Sequence, residues 1–158
     1  MKKNIKKNNK GFSLVELIVV VLIMAIIAVA LAPQVMKWVD NARITADLNT
    51  AGVIKSAAQV AYADFYGKGG KLTKDFTAKI VDDGTELSDV EETSTKATST
   101  DDTGKKVEKT LEDILNSNFD GSAFKMKHDK SATYDITITT NGTVTVKTSD
   151  DLTEEKLK

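Results

Sequence analysis

Lys10-Gly11-Phe12-Ser13-Leu14-Val15-Glu16-Leu17 is the stretch that decides how this chain is built. A lysine-rich leader meets a glycine, then a phenylalanine, then an apolar run with one carboxylate inside it. Glu16 is the anomaly. An ionised side chain is expensive in a segment suited to hydrocarbon, and where one occurs it usually has a function.

To the left, Lys2, Lys3, Lys6, Lys7 and Lys10 precede Phe12 and no acid does. To the right, residues 12–32 are apolar except for Ser13 and Glu16. As a helix these residues would reach about 31 Å, near the thickness of a bilayer core. The basic flank predicts that the leader stays cytoplasmic and that the rest lies outside. A secretory signal also starts with a basic region, but its cleavage site follows the apolar core. Here the glycine comes first, so a cut at Gly11 would leave the apolar segment attached.

The totals bound the remainder. The chain has 158 residues, with one proline, one tryptophan and no cysteine. That length predicts one modest domain. Without cysteine there is no disulfide staple, thiol nucleophile or thiolate metal site. A small extracellular domain often needs a staple, so this one must rely on packing or on neighbours. The net charge of −1 hides an asymmetry. Without the five leader lysines, 17 basic side chains face 23 acidic ones, a net charge of −6. An acidic remainder argues against nucleic acid as the main ligand.

Helical character continues past the apolar run, interrupted only by Pro33. Ile54, Ala58, Ala61 and Phe65 recur at helical spacing, with Val53, Ala57 and Val60 alongside, and so form a helix face. Gly67-Lys68-Gly69-Gly70 stops the helix. A single helix from Phe12 to Tyr66 would be about 80 Å long, a spine suited to sharing with neighbours.

Strand and loop signals follow. Residues 76–81 read as a short strand and 91–106 as an exposed polar loop with almost nothing to bury. Leu111, Ile114 and Leu115 fit a short amphipathic helix, and residues 123–127 a further strand. Residues 134–140 and 143–148 flank Asn141-Gly142, a strong hairpin signal. Their alternating apolar positions predict one buried face, packed on the stripe from Ile54 to Phe65. The fold class is therefore α+β: a long N-terminal helix, apolar in its first half and amphipathic in its second, packed on a small antiparallel sheet.

The opening stretch resembles the class III signal of type IV pilins. It has the basic leader, the Gly-Phe junction, a Ser/Leu pair where Thr/Leu is commoner, and a glutamate four residues after the phenylalanine. The Ala32-Pro33 end of the apolar run fits the same family. The close resemblance covers about residues 1–50, and the remainder matches in architecture alone. The absent cysteine pair departs from many pilins of Gram-negative bacteria and leans towards those of Gram-positive ones.

The resemblance implies four segments: a cleaved leader (1–11), a transmembrane and filament-core helix (12–33), an amphipathic half-helix (34–66), and an αβ-loop with a β-sheet surface region (67–158). It implies that a prepilin peptidase cuts between Gly11 and Phe12 and N-methylates Phe12. Glu16 would then pair with the Phe12 amine of a neighbouring subunit and set the stagger. Subunits would wait in the membrane, single-pass with the C-terminus outside. A separate assembly ATPase and an inner platform protein would stack them into a helical filament on the cell surface. Pro33 would supply a kink or a melted stretch, or simply mark the membrane exit.

Each feature also has a plainer reading. Glu16 would snorkel to water at the membrane edge; Gly11 would be a flexible joint; Trp38 would sit in an interfacial belt or between helices. His128, beside Lys127 and Lys130, reads as a solvated loop residue rather than a metal ligand. Asn141-Gly142-Thr143 satisfies a glycosylation sequon, yet the hairpin explains it without sugar. There is no phosphate loop, zinc pattern or nucleophile–histidine set, so neither an enzyme nor a cofactor is expected. The function expected is a major pilin supporting adhesion, motility or biofilm formation. Two alternatives remain. One is a minor pilin or a pseudopilin of a type II secretion or competence apparatus. The other is a signal-anchored monomeric surface binding protein.

Overall fold

The structure is a computed structural model that describes residues 11–80, 87–91, 94–100, 104–119, 124, 126–129 and 131–149. Helix α1 runs Leu14–Gly67 and contains Pro33. The chain divides into two compact units, Met1–Val39 and Asp40–Lys158, so the division falls beyond Pro33.

In the first unit α1 is bare. Leu14, Val15, Leu17, Ile18, Val21, Leu22, Ile27 and Val29 are all exposed, as are Met36 and Trp38. This part of α1 is long and apolar enough to cross a membrane. The helical assignment continues through Pro33, the residue that lacks a backbone donor.

In the second unit the helix acquires a core. Ile54, Ala58, Ala61 and Phe65 are buried, as the spacing predicts, and Ile44 joins them, whereas Val53 and Val60 remain exposed. The glycine cluster ends α1 as expected. Gly69 adopts φ +85°, and the Gly70 N–H donates to the Phe65 carbonyl at 3.0 Å. Gly70 lies so close to the Phe65 ring that an added Cβ would stand 2.4 Å from Cε2.

Strands β1 (Lys71–Leu72), β2 (Phe76–Ile80), β3 (Leu87–Glu91), β4 (Ser94–Thr95), β5 (Ala97–Thr100) and β6 (Lys106–Lys109) follow. Helix α2 (Leu111–Asn118) and strands β7 (Tyr134–Ile138) and β8 (Val144–Thr148) complete the described elements. The main sheet has the order β3-β2-β7-β8 and is antiparallel throughout. Phe76, Ala78 and Ile80 of β2 and Tyr134, Ile136 and Ile138 of β7 point inward, with Val144 of β8. These residues share one hydrophobic cluster with the Ile54–Phe65 stripe and with Leu111, Ile114 and Leu115 of α2. The packing expected of the hairpin is thus present. Two alanines in the stripe, Ala58 and Ala61, keep the helix surface thin where it meets bulkier partners.

The hairpin closes with three residues rather than two. Thr139 N–H donates to Thr143 O, Gly142 N–H donates to Thr139 O, and Gly142 takes φ +86°. Asn141 keeps a negative φ, so this is a turn followed by a left-handed glycine. Strand β3 carries a bulge between its pairings with Thr77 and Lys79, with Asp89 at φ 48° and its carboxylate 3.0 Å from Lys79 Nζ. The extra residue forces the local kink.

Two sequence expectations differ from the structure. The polar stretch 91–106 is not all loop: β4 pairs with β1, and β5 with β6. Its threonines and serines suit a strand in which Ala97 is the buried residue among the described side chains. Conversely, the described residues within 123–127 (Phe124, Met126 and Lys127) lie outside any strand. Phe124 instead packs edge-on against Phe119, and Met126 joins the core.

Candidate assembly site

Gly11, Phe12 and Ser13 precede α1, and all three are exposed. Leu17 N–H donates to Ser13 O at 3.2 Å, which makes Ser13 the residue from which the helix starts. Ser13 N–H in turn donates to Glu16 Oε2 at 3.0 Å. Ser-x-x-Glu before an apolar run is the pattern of a capping box, in which the third helical residue reaches back to the cap. A carboxylate in the first turn also meets the positive end of the helix dipole. This capping role is legible in the sequence as Ser13-Leu14-Val15-Glu16 ahead of an apolar run, a signal separate from the membrane cost of Glu16.

Phe12 and Glu16 lie on the same side of the first turn and, with Leu17 and Val20, line a groove of about 250 Å³. The structure therefore brings Phe12 and Glu16 together at the helix start, with Gly11 just outside. Pro33 is far along α1 and belongs to no such grouping. Phe12 itself is 87% exposed.

Chemically, the site can do one thing well. An ionised carboxylate has about four lone-pair positions, so a single N–H from Ser13 leaves it able to accept more. A free amine at Phe12, were the peptide bond to Gly11 cut, would supply a matching cation. The surroundings are apolar, and a filament or bilayer would strengthen any such pair by excluding water.

Other expected features resolve differently. Trp38 is exposed on α1. His128 is half-buried rather than solvated, and its Nε2 lies 3.6 Å from Asp40 Oδ1 on α1.

A family model for the prokaryotic N-terminal methylation motif matches residues 6–32. No curated protein and no solved structure matches the chain. The matched segment holds the leader end, the Gly-Phe junction, Glu16 and the apolar run, so the chain carries a class III signal. Its long N-terminal helix and antiparallel sheets form an α+β arrangement that matches the pilin fold, and together with the motif they support a likeness to type IV pilins. The motif points to a structural protein processed by a prepilin peptidase and anchored by its apolar helix.

Proposed function

We propose that this chain is the major structural subunit of a type IV pilus. The observation that carries the reading is the exposed apolar half of α1, headed by Phe12 and Glu16. Lipid covers that surface before assembly, and copies of the same helix cover it afterwards. The peptidase cuts between Gly11 and Phe12 and methylates the new amine. Glu16 then receives the Phe12 amine of the adjoining subunit. In a dry filament core an unpaired carboxylate would be strongly destabilising, and a register that pairs it is selected for that reason. Pro33 marks where the core helix kinks or melts on packing. Lipid and filament core are both apolar, so burial alone does not drive extraction; a separate ATPase and platform protein supply the work. The acidic, cysteine-free surface region forms the outside of the pilus and fits the Gram-positive type.

The test is direct. Cells are sheared, the supernatant is imaged, and the filament protein is sequenced from its N-terminus. Methylated phenylalanine followed by Ser-Leu-Val-Glu in an abundant filament is the expected result. An intact leader on a protein that stays monomeric in detergent would overturn the proposal in favour of a signal-anchored surface protein. A correctly cut protein present only in traces would make it a minor pilin or pseudopilin.

A further inference from the structure

Asp47 lies on α1 and is fully buried, although nothing in assembly calls for it. Its carboxylate accepts three contacts from two backbone donors some eighty residues further along the chain. Lys127 N–H reaches Oδ1 at 2.8 Å and Oδ2 at 3.0 Å, and His128 N–H reaches Oδ2 at 2.7 Å. The Asp47 backbone carbonyl accepts from the Tyr134 hydroxyl at 3.4 Å. Two turns back on the same helix, Asp40 faces the His128 ring. The residues held, 126–129, belong to no helix or strand.

We propose that Asp47 is a noncovalent staple. It clamps the 126–129 strap onto α1 and does for this cysteine-free chain what a disulfide does elsewhere, closing a long loop between the helix and the C-terminal part of the fold. The chemistry favours an ionised carboxylate over any neutral residue of its shape. Both donors are backbone N–H groups with no ladder to join, and buried donors need acceptors. A carboxylate offers only acceptors, and charge-assisted bonds of this kind are short and strong. Asparagine would present an N–H₂ group to at least one of the donors. The strap in turn brings Met126 into the core and carries His128 to Asp40, so the clamp fixes both an apolar and a polar contact.

Amide hydrogen exchange on the full chain in detergent micelles tests this. In the unmodified protein the Lys127 and His128 amides, though outside any regular element, are expected to exchange as slowly as those of β7. Free exchange at both would overturn the staple. In Asp47→Asn these two amides are expected to exchange about tenfold faster or more, while β7 amides keep their protection. Unchanged exchange in the strap would overturn the proposal. So would an equal loss across β7 and strap, which would make Asp47 an ordinary member of the core. If Asp47→Asn does not fold, the measurement on the unmodified chain still decides.

Discussion

Glu16 and Asp47 are carboxylates on one helix with opposite fates. Asp47 is buried and finds its donors within its own chain. Glu16 heads a stretch whose apolar side chains are exposed, and the N–H it takes from Ser13 is three residues away. Among the described residues the second unit has a buried core, whereas the first has none. A buried charge must be satisfied by its own fold; one on an exposed apolar surface is the one for which the assembly role is proposed.

The largest expected effect follows from that contrast. Glu16→Gln keeps an oxygen for the Ser13 N–H but loses the charge. It is expected to be processed normally and to lower the yield of sheared filament by roughly tenfold or more, because a paired amine is left without its counter-ion. Normal filament yield would remove Glu16 from assembly and leave it only a cap.

Next come paired truncations, one in each unit. Phe65→Ala removes a buried ring and is expected to cost the isolated chain roughly 3–5 kcal/mol. Leu22→Ala removes an exposed side chain and is expected to leave the denaturation midpoint of the isolated chain within about 0.5 kcal/mol, while filaments weaken. Denaturant titration in detergent, read beside filament yield, checks both. If Leu22→Ala destabilised the isolated chain as much as Phe65→Ala does, the two units would not differ as described.

Gly70→Ala sharpens the same contrast on a smaller scale. Its Cβ would meet the buried Phe65 ring, and the overpacking is expected to cost about 1–3 kcal/mol. Gly11→Ala meets no such neighbour, since nothing lies within 4 Å. It should leave stability unchanged and alter only the rate of leader cleavage, which mass spectrometry would follow.

How much of this was readable beforehand differs between the units for physical reasons. The membrane segment was legible because its signals are local: charge, length and a motif at fixed spacing. The Ile54–Phe65 stripe and the β7–β8 hairpin were legible because periodicity and Asn-Gly are also local. The β5–β6 pair was not, because polar strands rich in serine and threonine, with Ala97 as their buried side chain among the described residues, look like loops. Asp47 was the least visible. In sequence it is one of several polar residues on a helix, and its partners are backbone donors at 127 and 128, which carry no side-chain signature. His128 was misread for the same reason: its neighbours in sequence are lysines, whereas its neighbour in space is Asp40.

The smallest effect belongs to a third carboxylate, and it calibrates the first. Asp113 begins α2 as Glu16 begins α1. It accepts the Thr110 N–H at 2.9 Å, and its own N–H donates to Thr110 Oγ1 at 3.1 Å. The Thr110 backbone N–H, and then its side chain, hold the Asp113 carboxyl below the ordinary aspartate value. A depressed value in the folded state means that the unfolded chain binds the proton more readily. The stabilisation is therefore present above the unfolded value of about 3.9 and is lost as pH falls through the lower folded value. Protection of the first amides of α2, measured relative to the intrinsic exchange rate, should fall below about pH 4, and Asp113→Asn should abolish that dependence. An unchanged acid response in Asp113→Asn would assign it to another group. Asp113 caps a helix whose apolar face is already buried, so its titration reports chiefly that cap, with smaller contributions from Lys109 and Lys96. A cap of this kind contributes about 1 kcal/mol. A loss in Glu16→Gln well beyond that would exceed what a helix cap explains and would support the proposed pairing with a neighbour's amine.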